Sequence, residues 1–481
     1  MPSELREALT AAGASALVPK IIDPMLLEYQ RRYSPLVRMV PSIHWESDTY
    51  YFNQRTTVAS GGFVADGGAR PVANSTYVQN SFQMKHLQSV GAITGYAQEV
   101  TRQVIGDLRA REIEGTIRGQ YWDIETGILW GSSAATGNQG FPQFDGLDTL
   151  CSTFSGPNQN AINKSNAGLT AQATPLSLTG LDELIDLVEG NIAGSVFDDS
   201  WMFVMSSTAV SKLAQLQISQ QRYTEVEAEV GLIVPTYRNI PLVKSSFLQP
   251  RTYAMGTVST SQGTSTTYGT PSLPNATTYK YVVTAIVARQ GEILPSTEVS
   301  VTTSAANSWI SLSFATPTGL DGSQPISYKV YRTAANGSAG SETLLGYVDA
   351  AVGISATDGV SPIPTLTIVD TGSALVPVNG STIPANLPSV YFGGNAGLTP
   401  PVGWNGQGGS ATANQGLENV YLISRDQDNI VRPYVREMVP LDVYPTTASP
   451  DSLPYAVISD TTFALRAPKY AARLANVSTP I

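Results

Sequence analysis

Apolar and polar positions fall into stretches of different period along the chain, and each stretch predicts a different element. Tyr50, Tyr51, Phe52, Thr56, Thr57 and Val58 favour a strand, as do Thr76, Tyr77, Val78, Phe82 and Met84. Between them lies a Gly-rich tip, Ser60-Gly61-Gly62-Phe63-Val64-Ala65-Asp66-Gly67-Gly68-Ala69-Arg70-Pro71. Together they predict a long two-stranded ribbon over 46–90, an element only marginally stable alone in water. It must rest on its own domain or on a neighbouring subunit. Residues 1–45 read as an arm, because the helical stretches Ser3–Ala12 and Met25–Tyr33 are interrupted by Pro19, Pro24, Pro35 and Pro41. The first ninety residues are thus expected to order only when draped across sister molecules.

From 98 to 129 the proline-free sequence predicts one long helix, with Asp107–Arg111 and Glu114–Arg118 as i,i+4 ion pairs. Its apolar stripe is not straight. Val104 and Leu108 share one face, and Ile113, Ile117, Tyr121 and Ile124 cluster on nearly the opposite one. Gly106, Gly115 and Gly119 weaken the interior, so the helix either kinks or serves different partners at its ends. After a loop-rich stretch, Leu178–Glu189 predicts an amphipathic helix with Asp182 and Glu183 in its first turn. Trp201–Met205 is a buried-strand run, and Ser206-Ser207-Thr208 caps a helix to about Leu216. Gly231–Pro235 and Ile240–Ser246 add strand and turn, which makes an α+β domain.

At about Ala254 helical periodicity disappears, and it does not return before about Asn395. Strands are predicted at Thr277–Val287, Thr297–Thr303, Trp309–Phe314, Ile326–Arg332, Thr343–Val348 and Leu366–Asp370, the spacing of a β-sandwich. Beyond the loop Gly393–Gly416, strands return at Asn419–Ser424, Val431–Val439, Tyr455–Ile458 and Phe463–Ala467, and Pro468–Ala475 closes the chain. The sandwich therefore interrupts another domain.

The 481 residues suffice for two or three domains, and the 42 % apolar content for real cores. Only 14 % are charged, against about 25 % in an average soluble protein. Such a surface suits a protein covered by copies of itself, although a Ser/Thr/Gly-rich extracellular protein would share the composition. A net charge of −10 repels nucleic acid in bulk, so a DNA container of this sequence would hold its contents without gripping them.

Candidate chemistry is sparse. Cys151 is the single cysteine, so an intrachain disulfide is impossible, and its neighbours Asp148 to Thr153 supply no base. His44 and His86 form no His-x-x-x-His pair and accompany no Gly-x-Ser-x-Gly elbow. Asp198-Asp199 adjoins a strand, but adjacent strand residues face opposite ways. Gly403–Gly409 has no Lys followed by Ser or Thr and reads as a loop. Catalytic, cofactor and metal residues are accordingly assigned to none, and the chain is expected not to be an enzyme. Met1–Pro19 lacks the order of a signal peptide, and no apolar run approaches a bilayer span. No membrane partner is expected, and the Asn-x-Ser/Thr triplets at Asn74, Asn275 and Asn336 should stay bare.

Arm, ribbon, long helix, α+β domain and returning C-terminal strands, in that order, resemble the major capsid proteins of tailed phages, the Hong Kong 97-like shell fold. Phe63 to Pro71 resembles the family's acidic-Gly-x-x-x-Pro segment, and Glu112 to Gly131 the end of its spine helix. Trp201 to Leu216 resembles its strand followed by a Ser/Thr-capped helix. Gly231–Pro235 leading to Ile240–Ser246, and Phe463–Ala467 followed by Ala472-Arg473-Leu474, resemble two later segments.

The resemblance implies an α+β chain divided into an N-terminal arm (1–45) and an extended loop (46–90) that lies over a neighbour. A peripheral domain (91–179, with spine helix 98–129) and an axial domain (180–253 and 396–432) follow, with peripheral return strands at 433–481. It places Phe63, Val64, Asp66, Arg70, Pro71 and Tyr77 in inter-subunit contacts. It implies a homo-oligomer of pentamers and hexamers forming an icosahedral virion capsid around double-stranded DNA, without sequence-specific binding. Separate scaffolding, portal and decoration proteins are the implied partners. Some family members cross-link the loop through a Lys–Asn isopeptide bond, but the tip here has no lysine and Lys85 lies at its base, so that chemistry is not carried over.

The insert (254–395) resembles a fibronectin type III or immunoglobulin-like domain. Ile326 to Arg332 is similar to the third-strand motif, and Tyr279 to Ala285 with Gly291-Glu292 to a strand that normally comes later. The reversed order implies a circularly permuted sandwich, displayed on the outer shell face. An encapsulin-like compartment shell, and a secreted adhesin or glycan-binding protein, are the alternatives.

Overall fold

The structure is a computed structural model describing residues 35–66, 68–69, 74–102, 107–133, 143–154, 159–164, 174–197, 200–219, 224–229, 232–248, 255–287, 291–317, 325–349, 365–378, 389–393, 397–398, 400, 417–443 and 451–479. The predicted helices Ser3–Ala12 and Met25–Tyr33, Asp198-Asp199 and Gly403–Gly409 lie outside these residues.

In chain order the first elements are α1 (Leu36–Met39), β1 (Ser42–His44), β2 (Thr49–Thr57), β3 (Thr76–Gln83), β4 (Lys85–Thr94), α2 (Gly95–Thr101), α3 (Leu108–Trp130) and α4 (Leu147–Leu150). There follow β5 (Ala161–Asn163), β6 (Thr174–Pro175), α5 (Leu178–Ile192), β7 (Trp201–Met205), α6 (Ser207–Ser219), β8 (Thr224–Glu229), β9 (Leu232–Tyr237) and β10 (Ile240–Lys244). The insert contributes β11 (Val258–Gly263), β12 (Thr278–Val287), β13 (Gly291–Glu292), β14 (Val299–Thr302), β15 (Trp309–Ala315), β16 (Pro325–Arg332), β17 (Thr343–Asp349), β18 (Thr365–Asp370), β19 (Leu375–Val378) and β20 (Ser389–Tyr391). The chain closes with β21 (Leu417–Ser424), β22 (Ile430–Asp442), β23 (Ser452–Thr461), β24 (Ala464–Leu465) and β25 (Ala471–Ser478).

The chain forms two compact units. The smaller contains residues 88–118 and 440–457, and the larger residues 32–87, 119–439 and 458–481. The expected single helix 98–129 is corrected. α2 ends at Thr101 and α3 begins at Leu108, with residues 103–106 outside the described set. Asp107 is the reason for a fresh start, because its Oδ1 accepts the Ala110 N–H at 3.1 Å and so caps α3. Tyr455 lies against Gly91 so closely that a Cβ there would stand 2.5 Å from the ring.

The larger unit is built on an eight-stranded sheet, β5-β25-β21-β7-β10-β9-β8 with β6 on β25. β7 is buried at every position, as its unbroken apolar run predicts. α5 and α6 pack against this sheet through Leu181, Leu184, Ile185, Val188, Ala209 and Leu213. Ser177 Oγ caps α5 by accepting the Gly180 N–H at 3.1 Å, and Ser206 Oγ caps α6 by accepting the Ala209 N–H at 3.0 Å. Asp182 lies beyond the first turn of α5 and instead accepts the Tyr237 hydroxyl at 2.5 Å and Arg238 at 2.8 Å. The closing segment differs from the division at 432, which groups everything after it together. β25 pairs β21 antiparallel, whereas β22 and β23 belong to the sheet with β1 and β4.

The last part of the expected arm is likewise not draped. Leu36, Val37, Met39 and Val40 are buried, and β1 pairs β22 in parallel.

Near the C-terminus of α3, Gly131 N–H donates to the Gly127 carbonyl and Gly146 N–H to the Gly131 carbonyl, both at 2.9 Å. A Cβ on Gly146 would stand 2.3 Å from the Gly127 oxygen. Gly146→Ala is therefore expected to lower the thermal midpoint by several degrees in a calorimetric scan, since the clash is with backbone. An unchanged midpoint would count against this packing.

The strands of the insert form two sheets around one core: β11-β15-β18-β19, and β13-β12-β16-β17-β20 with β14 on β12. β11, β13, β19 and β20 were not predicted from sequence. On the outer face of the first sheet the register aligns Ser259, Ser313 and Thr367, with Ser261 beside Ser311 in the next row. The Ser261–Ser311 and Ser313–Thr367 hydroxyls meet at 2.6 Å.

Candidate assembly surface

The base of the ribbon is anchored by aromatic stacking. Phe52 stacks on Phe82 at 5.9 Å, Tyr50 on Phe52 at 6.1 Å, and Trp45 meets Tyr50 edge-on at 4.9 Å. Tyr50 is buried with Met84, Val431 and Ala464, and Arg466 Nε donates to its hydroxyl at 3.0 Å. Further out the two strands bond to each other. Gln79 donates to Asn53, Asn80 to Gln54, and Thr56 and Thr76 share a hydroxyl contact at 2.8 Å.

Apolar side chains on this outer part have no cover. Phe63 is fully exposed, Val58 69 % and Tyr77 67 % exposed, and Val64 and Val78 are also exposed. Asp66 is exposed as well, and the tip turns through the Gly68 N–H to Ala65 carbonyl bond of 2.8 Å. Arg70 and Pro71 lie outside the described residues. An exposed apolar strip on a thin ribbon is what a contact surface looks like before its partner arrives.

The predicted ion pairs divide. Glu114 and Arg118 meet at 3.2 Å on the exposed face of α3. Asp107 caps the helix instead of meeting Arg111, with Gln98 Nε2 donating to the same oxygen at 3.0 Å. These hydrogen bonds, that from Ala110 foremost, hold its carboxyl below the usual range. His86 Nδ1 lies 2.6 Å from Asp460, and His44 packs edge-on to Tyr434. Cys151 is buried, and burial pushes its thiol up to about 12, so it is unsuited to attack.

Sequence reasoning missed two buried polar sites in the larger unit. In the first, Glu125 of α3 is wholly buried. Its Oε2 accepts the Leu36 and Val37 N–H groups at 3.1 and 3.3 Å, and its Oε1 accepts the Ser245 hydroxyl at 2.7 Å. Burial pushes its carboxyl up to about 7, against the pull of these hydrogen bonds.

The second site joins the insert to the body. Lys329 of β16, 0 % exposed, places Nζ 2.8 Å from Asp148 of α4 and 3.0 Å from Glu292 of β13. Arg473 of β25 pairs with the other Asp148 oxygen and donates to the Asp148 carbonyl at 2.9 Å. Tyr347 donates to Asp148 at 3.1 Å, and Tyr331 and Thr284 to Glu292 at 2.8 and 2.7 Å. Burial works to raise the Asp148 carboxyl, but Lys329 and Arg473 override it and hold it below the usual range. The one available sequence signal was Arg473, a lone cation in the apolar run Ala471-Ala472-Arg473-Leu474-Ala475. Among the described residues there is no group of three or more His, Cys, Asp or Glu that could hold a metal.

Residues 33–260 match the family described as SU10 major capsid protein. No curated protein matches the chain. Among solved structures, the capsid of a native GTA particle is 8 % identical, covering 98 % of this chain and 99 % of that one, with a TM-score of 0.48. The SrpI encapsulin of Synechococcus elongatus PCC 7942 is 10 % identical over 99 % and 98 % of the two chains, with a TM-score of 0.46. The capsid of Myoviridae phage XM1 is 8 % identical over 96 % and 98 %, with a TM-score of 0.44.

Ribbon, long helix and mixed sheets in this order make an α+β chain of many strands and few helices. The family match thus takes in the ribbon, α3 and the strands and helices up to β10, just under half of the chain.

Proposed function

We propose that the ribbon is the extended loop by which each subunit covers a neighbouring copy, and that the resulting shell encloses double-stranded DNA without binding it specifically. The supporting observation is the uncovered strip Val58, Phe63, Val64 and Tyr77 beyond an anchored base. Covering it releases roughly 25 cal/mol per Å² of apolar surface. A net charge of −10 suits a container that leaves its DNA mobile. The eight-stranded sheet with α5 and α6 serves as the axial domain, and β4, α2 and α3 belong to the peripheral domain. Scaffolding, portal and decoration proteins complete the head. The chain acts by assembly and not by catalysis.

The insert is read as a circularly permuted immunoglobulin or fibronectin type III-like sandwich on the outer face. That order requires the strands around Tyr281 and Lys329 to share one sheet of a sandwich, and the antiparallel pairing of β12 with β16 supports it.

The test is a Phe63→Ser/Tyr77→Ser chain co-produced with the remaining head proteins. Unassembled subunits with an unchanged melting curve are expected, where the parent chain yields closed particles by negative-stain microscopy. Variant shells at parental yield would refute the ribbon's role. Parental particles should protect DNA from nuclease, and protein cargo in place of DNA would overturn the proposed contents.

A further inference from the structure

The two faces of the sheet β13-β12-β16-β17-β20 have different neighbours. Tyr281, Val283, Ala285 and Val287, with Tyr328 and Val330, turn into the sandwich's own core. The alternate positions Val282, Thr284, Ile286, Ser327, Lys329 and Tyr331 point the other way, and they too are buried. In a free-standing sandwich such positions meet water. Here the body covers them. Trp130, the last residue of α3, lies 5.8 Å from Lys329 Nζ and packs against Gly291, where a Cβ would stand 2.7 Å from the indole. Its Nε1 donates to the Phe247 carbonyl at 3.0 Å, which fixes the ring from the body side.

The charges divide evenly across this seam. The body contributes the Asp148–Arg473 pair and the insert the Lys329–Glu292 pair, so each side is neutral alone. The Lys329–Asp148 bond, with the Tyr347 hydroxyl on the same carboxylate, joins one pair to the other. A loosely tethered decoration needs no such arrangement. Fully buried, mutually paired groups permit one alignment of the two parts, because any shift strands a charge out of water.

We propose that the insert is a fixed structural member of the subunit, keyed to the body by Asp148, Glu292, Lys329 and Arg473, and that closing this seam is a condition of assembly competence. The keying concerns the isolated subunit; only the assembly clause rests on the shell function. It follows that the sandwich is held at a single angle to the sheet carrying α5 and α6.

The test is thermal unfolding and amide hydrogen exchange of the unassembled full-length chain. The parent should melt with insert and body together, and Lys329→Met should split that transition. Exchange in β16 and β17 should quicken by at least about tenfold, the loss expected for a charged hydrogen bond. Should Lys329→Met fail to fold, Lys329→Met/Glu292→Gln keeps the insert side neutral and Asp148–Arg473 intact, and the same acceleration is expected. Separate insert and body transitions in the parent, or unchanged exchange in a folded variant, would overturn the keying. Closed shells from the folded variant at parental yield would overturn the assembly clause alone.

Discussion

Asp148→Ala is expected to destabilise the unassembled subunit by about 3–5 kcal/mol, the range for removing one partner of a buried charge pair. The carboxylate is 1 % exposed and serves Lys329, Arg473 and Tyr347 together. Lys329 retains Glu292 when Asp148 is lost, but Arg473, wholly buried, loses its anionic partner. Asp148→Asn keeps the volume and one acceptor, so it should cost less while keeping the sign. Urea denaturation of both variants decides the matter, and a loss below about 1 kcal/mol for Asp148→Ala, the level of a surface pair, would refute the proposed role. Because the folded carboxyl titrates below its ordinary value, its stabilisation is present above the unfolded pKa. It is lost as pH falls through the folded one.

Glu125 has the opposite sign. Its carboxyl is raised from 4.5 to about 7, so the folded chain holds a proton that the unfolded chain has released between those values. Stability from this group therefore falls as pH rises from 4.5 to about 7, and the deficit is constant above that. At about 1.4 kcal/mol per unit, the full deficit approaches about 3 kcal/mol. Glu125→Gln cannot ionise, and its amide still offers an oxygen to Leu36 and Val37 and an N–H to Ser245. The variant should match the parent at pH 4.5 and exceed it by up to about 3 kcal/mol at pH 8. Parallel pH–stability curves for the two chains would contradict the assignment.

Local pattern made much of this molecule legible. Trp201 to Met205 could only be a buried strand, and Tyr50 to Val58 with Thr76 to Met84 could only pair across a glycine-rich tip. β11 escaped because Val258-Ser259-Thr260-Ser261-Gln262-Gly263 contains a single apolar residue. Its strand character comes from its partner β15 and not from its own composition. The break in the long helix escaped because Asp107 reads as well as an i,i+4 partner as it does as a cap. Alternation in Ile326 to Arg332 assigns Lys329 to a solvent face, and only the tertiary fold covers that face. Asp148, Glu292, Lys329 and Arg473 are spread over more than three hundred positions, so no window of sequence contains their meeting.

The rows of serine and threonine on the outer sheet of the insert have their own consequence. Hydroxyls satisfy one another there without any formal charge, so these rows hold no counter-ion cloud for dissolved salt to strip or thicken. These hydroxyl rows stay bonded and unaltered in fresh water and in brine alike.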